Sequence, residues 1–154
     1  MITRAIQRRR RRLLQMAGAL AAVPFVPASA AAALPEIPAL LTYLSGRTPG
    51  TGRLTLDLPR LADNGLAVPL RMSVSGPFTP TSYVRSLQLF SEANPVPLMA
   101  AFEFPAPVAR VEIDTRVRLN GTQRVVAIAT FSDGALQAAV AEVEVTAAAC
   151  MDGS

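Results

Sequence analysis

The sequence contains no histidine, no lysine and no tryptophan, and it has one cysteine. Without histidine and with a single thiol, it can form neither a zinc site of His and Cys ligands nor a Ser/His/Asp or Cys/His catalytic set. One cysteine also excludes an intramolecular disulfide, so an ordinary hydrophobic core must hold the fold. The 154 residues are enough for such a core. We therefore expect a small globular domain with no metal and no cofactor.

The first thirty residues have the composition of an export signal. A basic run over Arg8–Arg12 precedes an apolar, alanine-rich stretch over Leu13–Val26, and Pro27–Ala30 matches a small-residue cleavage site. The apolar stretch is shorter than the about 20 residues that span a bilayer. The pattern predicts a cleaved signal over residues 1–30 and no membrane attachment once it is removed.

The basic run also indicates the export route. The segment Arg10–Gln15, with two arginines before a hydrophobic pair, resembles the twin-arginine type of signal. An ordinary secretory leader with extra arginines is the alternative, and both predict a periplasmic protein. Removing the leader takes away six of the fifteen basic residues and leaves nine arginines against eleven acidic residues, a formal charge of −2. Nucleic acid is therefore not an expected partner.

The rest of the chain divides into three parts. Residues 31–51 form an N-terminal segment with a short helix within Pro35–Leu44, which ends at Ser45-Gly46 and leads into a loop rich in Pro and Gly. Residues 52–146 contain seven runs of strand character separated by turn residues. Residues 147–154 form a C-terminal arm. The seven runs are Arg53–Leu58, Ala67–Ser75, Val84–Ser91, Val96–Phe104, Arg110–Leu119, Gln123–Phe131 and Leu136–Val145.

This spacing of short strands predicts an all-β fold, an immunoglobulin-like antiparallel sandwich of about seven strands, with a small barrel as the alternative. The run Gln123–Phe131 is almost continuously apolar, which is typical of a strand buried on both faces. Pro69 and Pro97 fall inside two of the runs. Because proline cannot donate to a β-ladder, we expect those two segments to be edges or bulges.

The residue that could carry chemistry is Cys150, four residues beyond Thr146 and four before the end of the sequence. It is an incidental terminal cysteine, a cysteine that packs as a small apolar residue, or a functional thiol on an arm that can enter a partner's pocket. No basic residue is near it in sequence, and Asp152 disfavours the thiolate. This favours a passive carrier over a thiol enzyme such as a peroxidase, which would need an activating arginine.

Several segments resemble SoxY, the substrate-carrier subunit of the bacterial sulfur-oxidising Sox system. They are Gly52–Pro59, Asp63–Leu70, Tyr83–Pro95 and Val125–Gly134, and the resemblance extends from about Leu40 to Cys150. It implies an immunoglobulin-like sandwich without catalytic activity of its own. It also implies a SoxZ-like sandwich subunit and Sox-type periplasmic enzymes as partners.

By this resemblance, Cys150 is the covalent attachment site of a sulfur-containing intermediate. The arm differs from the family's G-G-C-G-G pattern, because Ala148, Ala149, Met151 and Asp152 replace the glycines and restrict the backbone. It is more similar to SoxY-related proteins whose arm reads A-A-C-I-E. Thiosulfate is therefore one candidate cargo among sulfur species. The alternative function is an interaction module in which the cysteine is dispensable. An oxidising compartment would also permit a disulfide-linked homodimer through Cys150.

Overall fold

The computed structural model describes residues 33–147, so the predicted export signal and the part of the arm beyond Ala147 lie outside the described residues. Within these residues eight strands form two sheets, which makes the fold the predicted β-sandwich. The small sheet has the order β1-β3-β6 and the large sheet the order β2-β8-β7-β4-β5. No helix among residues 33–147 is long and apolar enough to cross a membrane. The strands are β1 (Leu54–Asp57), β2 (Leu61–Ala62), β3 (Val68–Val74), β4 (Val84–Ser91), β5 (Leu98–Glu103), β6 (Val111–Val117), β7 (Gln123–Phe131) and β8 (Leu136–Val145).

Strand β7 lies at the centre of the large sheet and is buried on both faces, as its continuous apolar sequence predicts. On its inner face Val125 and Ala127 belong to the core between the two sheets. On its outer face Val126 and Ile128 are fully buried in a second apolar cluster. A strand with two buried faces needs a covering layer on each side, and the small sheet supplies only one of them.

The second layer is the predicted short helix, α1 (Pro38–Leu44), which packs on the outer face of the large sheet. Leu40 and Leu44 are buried there against Phe90 and Ile128. The Tyr43 hydroxyl also lies 2.6 Å from Thr130 Oγ1, a hydrogen bond from the helix to β7. The segment before the first strand is thus part of the packed structure.

The seven predicted runs correspond to seven of the eight strands. The sequence pattern missed β2, whose two residues pair in parallel with Glu144 and Val145 of β8. A strand of two residues has no measurable alternation, and its pairing partner lies more than eighty residues away in sequence. The sheets are therefore antiparallel except at this pair.

The predictions for the two prolines had different outcomes. Pro97 precedes β5, which is the edge of the large sheet and has a register shift opposite Leu89 and Phe90, as expected. For Pro69 the prediction was wrong, because β3 is the central strand of the small sheet. Strand β1 pairs only with Arg71–Val74, so β6 alone pairs with Pro69. A proline is tolerated there because, at this residue, β3 has a neighbouring strand on one side only.

The two outer edges of the large sheet differ. The edge formed by β8 is covered at its C-terminal end by β2 and at its other end by Gly50, which bridges Gln137. Gly50 N donates to Leu136 O at 2.9 Å, and Ala138 N donates to Gly50 O at 2.9 Å. Within residues 33–147 no strand pairs with the opposite edge, formed by β5.

The packing of α1 predicts a position-dependent loss of stability along the helix. Leu40→Ala removes a fully buried side chain and should lower the free energy of unfolding by about 2–5 kcal/mol. Leu41→Ala, on the same helix, removes a side chain that is 51% exposed and should change it by less than about 0.5 kcal/mol. Urea unfolding of both variants measures the difference. Equal effects would contradict the packing of α1 on the sheet.

Candidate functional site

The residues predicted for the site belong to the C-terminal arm. Their roles remain predictions, because Cys150 and its flanking residues Ala148, Ala149, Met151 and Asp152 lie outside the described residues. The chain is described as far as Ala147, three residues before the thiol. The geometry on which the site depends is therefore that of the arm base, Thr146 and Ala147.

The arm base is held by the segment 60–65, which contains β2. Thr146 N donates to Ala62 O at 3.1 Å, and its hydroxyl donates to Asp63 O at 2.7 Å. Gly65 N donates to Ala147 O at 2.7 Å. These three hydrogen bonds on consecutive residues fix the point at which the chain leaves the sandwich.

The segment that holds the arm base is itself fixed. Asn64 caps a short 3₁₀ helix (Gly65–Ala67) by accepting a hydrogen bond from Leu66 N at 2.6 Å. Gly65 is buried, and its carbonyl accepts from Leu119 N at 2.8 Å. In the sequence, Asn64-Gly65 is a turn pair between the first two strand runs. Its position beside the arm base follows from contacts that are distant in sequence.

The arm leaves the sandwich at the end that carries the β4–β5 loop and the β6–β7 turn. Val145 N donates to Thr122 Oγ1 at 3.0 Å, next to the start of β7. A polar network joins the two loops there. Asn94 Nδ2 donates to Arg118 O at 2.8 Å, and Gln123 Nε2 donates to Asn94 Oδ1 at 3.2 Å. The buried Ser91 hydroxyl donates to Gln123 Oε1 and completes the network.

An ion pair strengthens the same end of the molecule. Arg124 donates to both carboxylate oxygens of Glu92, from Nε at 3.0 Å and from Nη2 at 2.7 Å. The hydrogen bond from the Arg124 side chain holds the pKa of Glu92 below its usual value. Both side chains are more than a third exposed, so the pair contributes modestly to stability.

The charges around the arm base do not form an activating cluster. Arg60, Asp63 and Glu144 are exposed beside it, one cation against two carboxylates. Within residues 33–147 no group of three Cys, Asp or Glu side chains could hold a metal ion. A thiolate is stabilised by nearby cations, and at the described arm base the two carboxylates outnumber Arg60.

A second surface feature is an open groove of about 490 Å³ between the edges β5 and β6. Val96 and Leu98 on the β5 side are 70% and 41% exposed. Arg116 and Arg118 line the other side, are exposed, and make no ion pair among the described residues. Both guanidinium groups are therefore available for contact with an acidic side chain.

The fold and the arm base together define a class of protein. It is an immunoglobulin-like β-sandwich whose last strand continues into a short tail with a single cysteine. The family model of the sulfur oxidation protein SoxY matches residues 42–150, and the chain belongs to the SoxY family. The match extends through β8 and the arm base to the cysteine. A comparison with curated protein sequences gave no significant match.

Solved structures agree with this assignment. The sulfur carrier protein SoxY from Chlorobium limicola f. thiosulfatophilum is 26% identical, with a TM-score of 0.55 over 71% of this chain and 94% of that one. The superoxide reductase from Nanoarchaeum equitans is 15% identical, with a TM-score of 0.51 over 62% of this chain and 100% of that one. A putative superoxide reductase from Thermotoga maritima is 16% identical, with a TM-score of 0.51 over 64% and 87%. At these identities the reductases share the fold alone.

The Glu92–Arg124 pair predicts a pH dependence of stability. The folded-state pKa of Glu92 is depressed, so its stabilising effect is present above the unfolded value of about 4.3 and is lost as the pH falls through the folded value. Glu92→Gln should be less stable than the wild type by about 0.2–1 kcal/mol at pH 7. The difference should shrink as the pH falls below about 4 in urea unfolding series.

The matched control is Glu103→Gln, at an exposed residue that makes no ion pair within the described part of the chain. Its stability should follow that of the wild type across the series. A Glu92→Gln deficit that stays constant with pH would show that the charge of Glu92 is not its source.

Proposed function

We propose that this protein is a periplasmic carrier that holds a sulfur-containing intermediate covalently on Cys150 and presents it to partner enzymes. The observation that carries the proposal is the fixed arm base. Ala147 is hydrogen-bonded to Gly65, and Cys150 follows three residues later. Those three residues extend at most about 11 Å. Such an arm keeps the thiol near the sandwich and still lets it enter a pocket in another protein.

Membership of the SoxY family supports a carrier role in sulfur oxidation, and its solved member from Chlorobium limicola is described as a sulfur carrier protein. The composition supports a carrier without catalytic activity, because one thiol and no histidine leave no general base of the usual kind beside the cysteine. The arrangement favours enzymes in trans that add, oxidise and remove the sulfur group. The predicted twin-arginine type of export signal supports a periplasmic location beside these enzymes.

The composition of the arm limits which enzymes fit. Ala148, Ala149, Met151 and Asp152 are wider and less flexible than the glycines of the G-G-C-G-G arm. A partner pocket must therefore accommodate Met151 beside the thiol. We assign the chain to the divergent subgroup with an A-A-C-I-E type of arm, and we define its cargo as a sulfur species rather than as thiosulfate.

The open edge of β5 supports a permanent partner subunit. Five of its six residues are apolar, and exposed apolar edges are sites of strand addition. We propose that a SoxZ-like sandwich pairs along this edge and places acidic side chains near Arg116 and Arg118. The same edge also favours the alternative function, an interaction module in which Cys150 is dispensable.

Replacing the cysteine separates these two functions. Wild-type protein purified from its native periplasm should carry reductant-labile mass in sulfur or sulfonate increments, and Cys150→Ser should carry none. The variant should lose pathway function while it still binds the partner subunit. Intact mass spectrometry with and without reductant is the measurement. A bare thiol under every growth condition would rule out the sulfur carrier and leave the interaction module.

The partner edge gives a separate prediction. Val96→Asp places a carboxylate in the groove and should weaken binding of a SoxZ-like subunit from the same organism by about tenfold or more, since about 1.4 kcal/mol suffices for that factor. Val108→Asp, at an exposed residue in the β5–β6 loop, is the control and should bind normally. Calorimetric titration measures both affinities. Unchanged binding by Val96→Asp would locate the partner elsewhere.

A further inference from the structure

Two exposed leucines lie at the segment that holds the arm base, one inside it and one directly after it. Leu61 in β2 is 55% exposed, and Leu66 in the 3₁₀ helix is 51% exposed. Between them lie Ala62, Asp63, the cap residue Asn64 and Gly65. We call Leu61 and Leu66 the arm collar. Single exposed leucines are common on protein surfaces, so their position matters more than their exposure.

The backbone around the collar keeps both side chains at the surface. Ala62 is buried, so its neighbour Leu61 points to the other face of β2. Leu66 N is hydrogen-bonded to Asn64 Oδ1 at 2.6 Å, which fixes the start of the 3₁₀ helix. The inward positions of this segment are already taken by Gly65 and Val68. The leucines therefore stay exposed in the folded carrier.

The collar lies within the reach of the arm. Leu61 is the strand partner of Glu144, three residues before Ala147, and Leu66 follows Gly65, whose N–H binds Ala147 O. The chain beyond Ala147 extends at most about 11 Å to Cys150. An enzyme that takes the thiol into a pocket must therefore bring the rim of that pocket close to the arm base, and thus against Leu61 and Leu66.

We propose that the arm collar is the docking surface for the enzymes that load and unload the cargo, and that it contacts an apolar rim around their active-site entrance. This rests on the proposed carrier function. Two leucines bury too little area for a permanent interface but suit a transient one. The longer apolar edge of β5 suits the permanent subunit. Separate surfaces would let the carrier change enzymes without losing its partner.

The test compares three forms of the full-length protein in the native host, each replacing the chromosomal copy. They are the wild type, the double variant Leu61→Ser and Leu66→Ser, and the control Leu41→Ser, whose side chain is 51% exposed on α1. Cells are starved of the sulfur compound that produces the adduct and then resupplied. Intact mass spectrometry follows the appearance of reductant-labile mass on Cys150. Alkylation of the purified proteins by iodoacetamide measures the reactivity of the Cys150 thiol in the absence of the enzymes.

We expect the initial loading rate of the double variant to fall about tenfold or more, which corresponds to about 1.4 kcal/mol, because both leucines lose their apolar contact with the enzyme. The Leu41→Ser control should load like the wild type. All three proteins should react equally with iodoacetamide, which would place the loss in enzyme docking rather than in the thiol.

Equal loading of all three forms would overturn the proposal, and so would an equal loss in Leu41→Ser, because the effect would not depend on position. A double variant that loads normally but changes from dimer to monomer in native mass spectrometry would make the collar a contact between two copies instead. A wild type without labile mass under any condition would refute the carrier function itself. If instead the wild type is loaded and the double variant is loaded equally fast, the carrier function stands and only the docking role of the collar is refuted.

Discussion

The structure depends on the burial of β7 from both sides. Its inner side chains need the small sheet, and its outer side chains, Val126 and Ile128, need α1. Both covering layers precede β7 in the sequence, and the central strand joins the two apolar clusters, one on each of its faces. Because β7 also pairs with β4 and β8 along almost its whole length, its burial fixes the register of both neighbours. A one-residue slip would place the wrong side chains on both faces at once.

That register determines where the candidate site lies. The C-terminal end of β8 lies beside the start of β7, so the arm leaves the sandwich next to the β6–β7 turn. Strand β2 and the 3₁₀ helix then hold Thr146 and Ala147 through main-chain hydrogen bonds. The buried pair Ser91 and Gln123 holds the adjacent loops in place. The arm thus starts from a rigid support.

The sequence was sufficient for features that depend on local pattern. Alternation and turn residues located seven strands, and the apolar run of β7 indicated burial on two faces. It was not sufficient for features that depend on long-range contacts. Three features are of this kind: the role of α1 as a covering layer, the two-residue strand β2 and the tolerance of Pro69. Each depends on which strand is its neighbour in the fold, and a short window of sequence does not contain that information. Cys150 was found by elimination, as the only thiol, and its role stays a prediction.

The unequal edges of the large sheet also set a limit on assembly. On the β8 side, β2 and Gly50 already occupy both ends of the edge, whereas β5 remains open within the described part of the chain. A sheet that can add a strand at only one edge forms a pair and then stops, because the pair offers no second open edge of the same kind. Open edges on both sides would instead allow chains to add one after another into a filament. Within the described residues, the short contacts at Leu61–Ala62 and Gly50 would therefore limit strand addition to the large sheet to one partner, at β5.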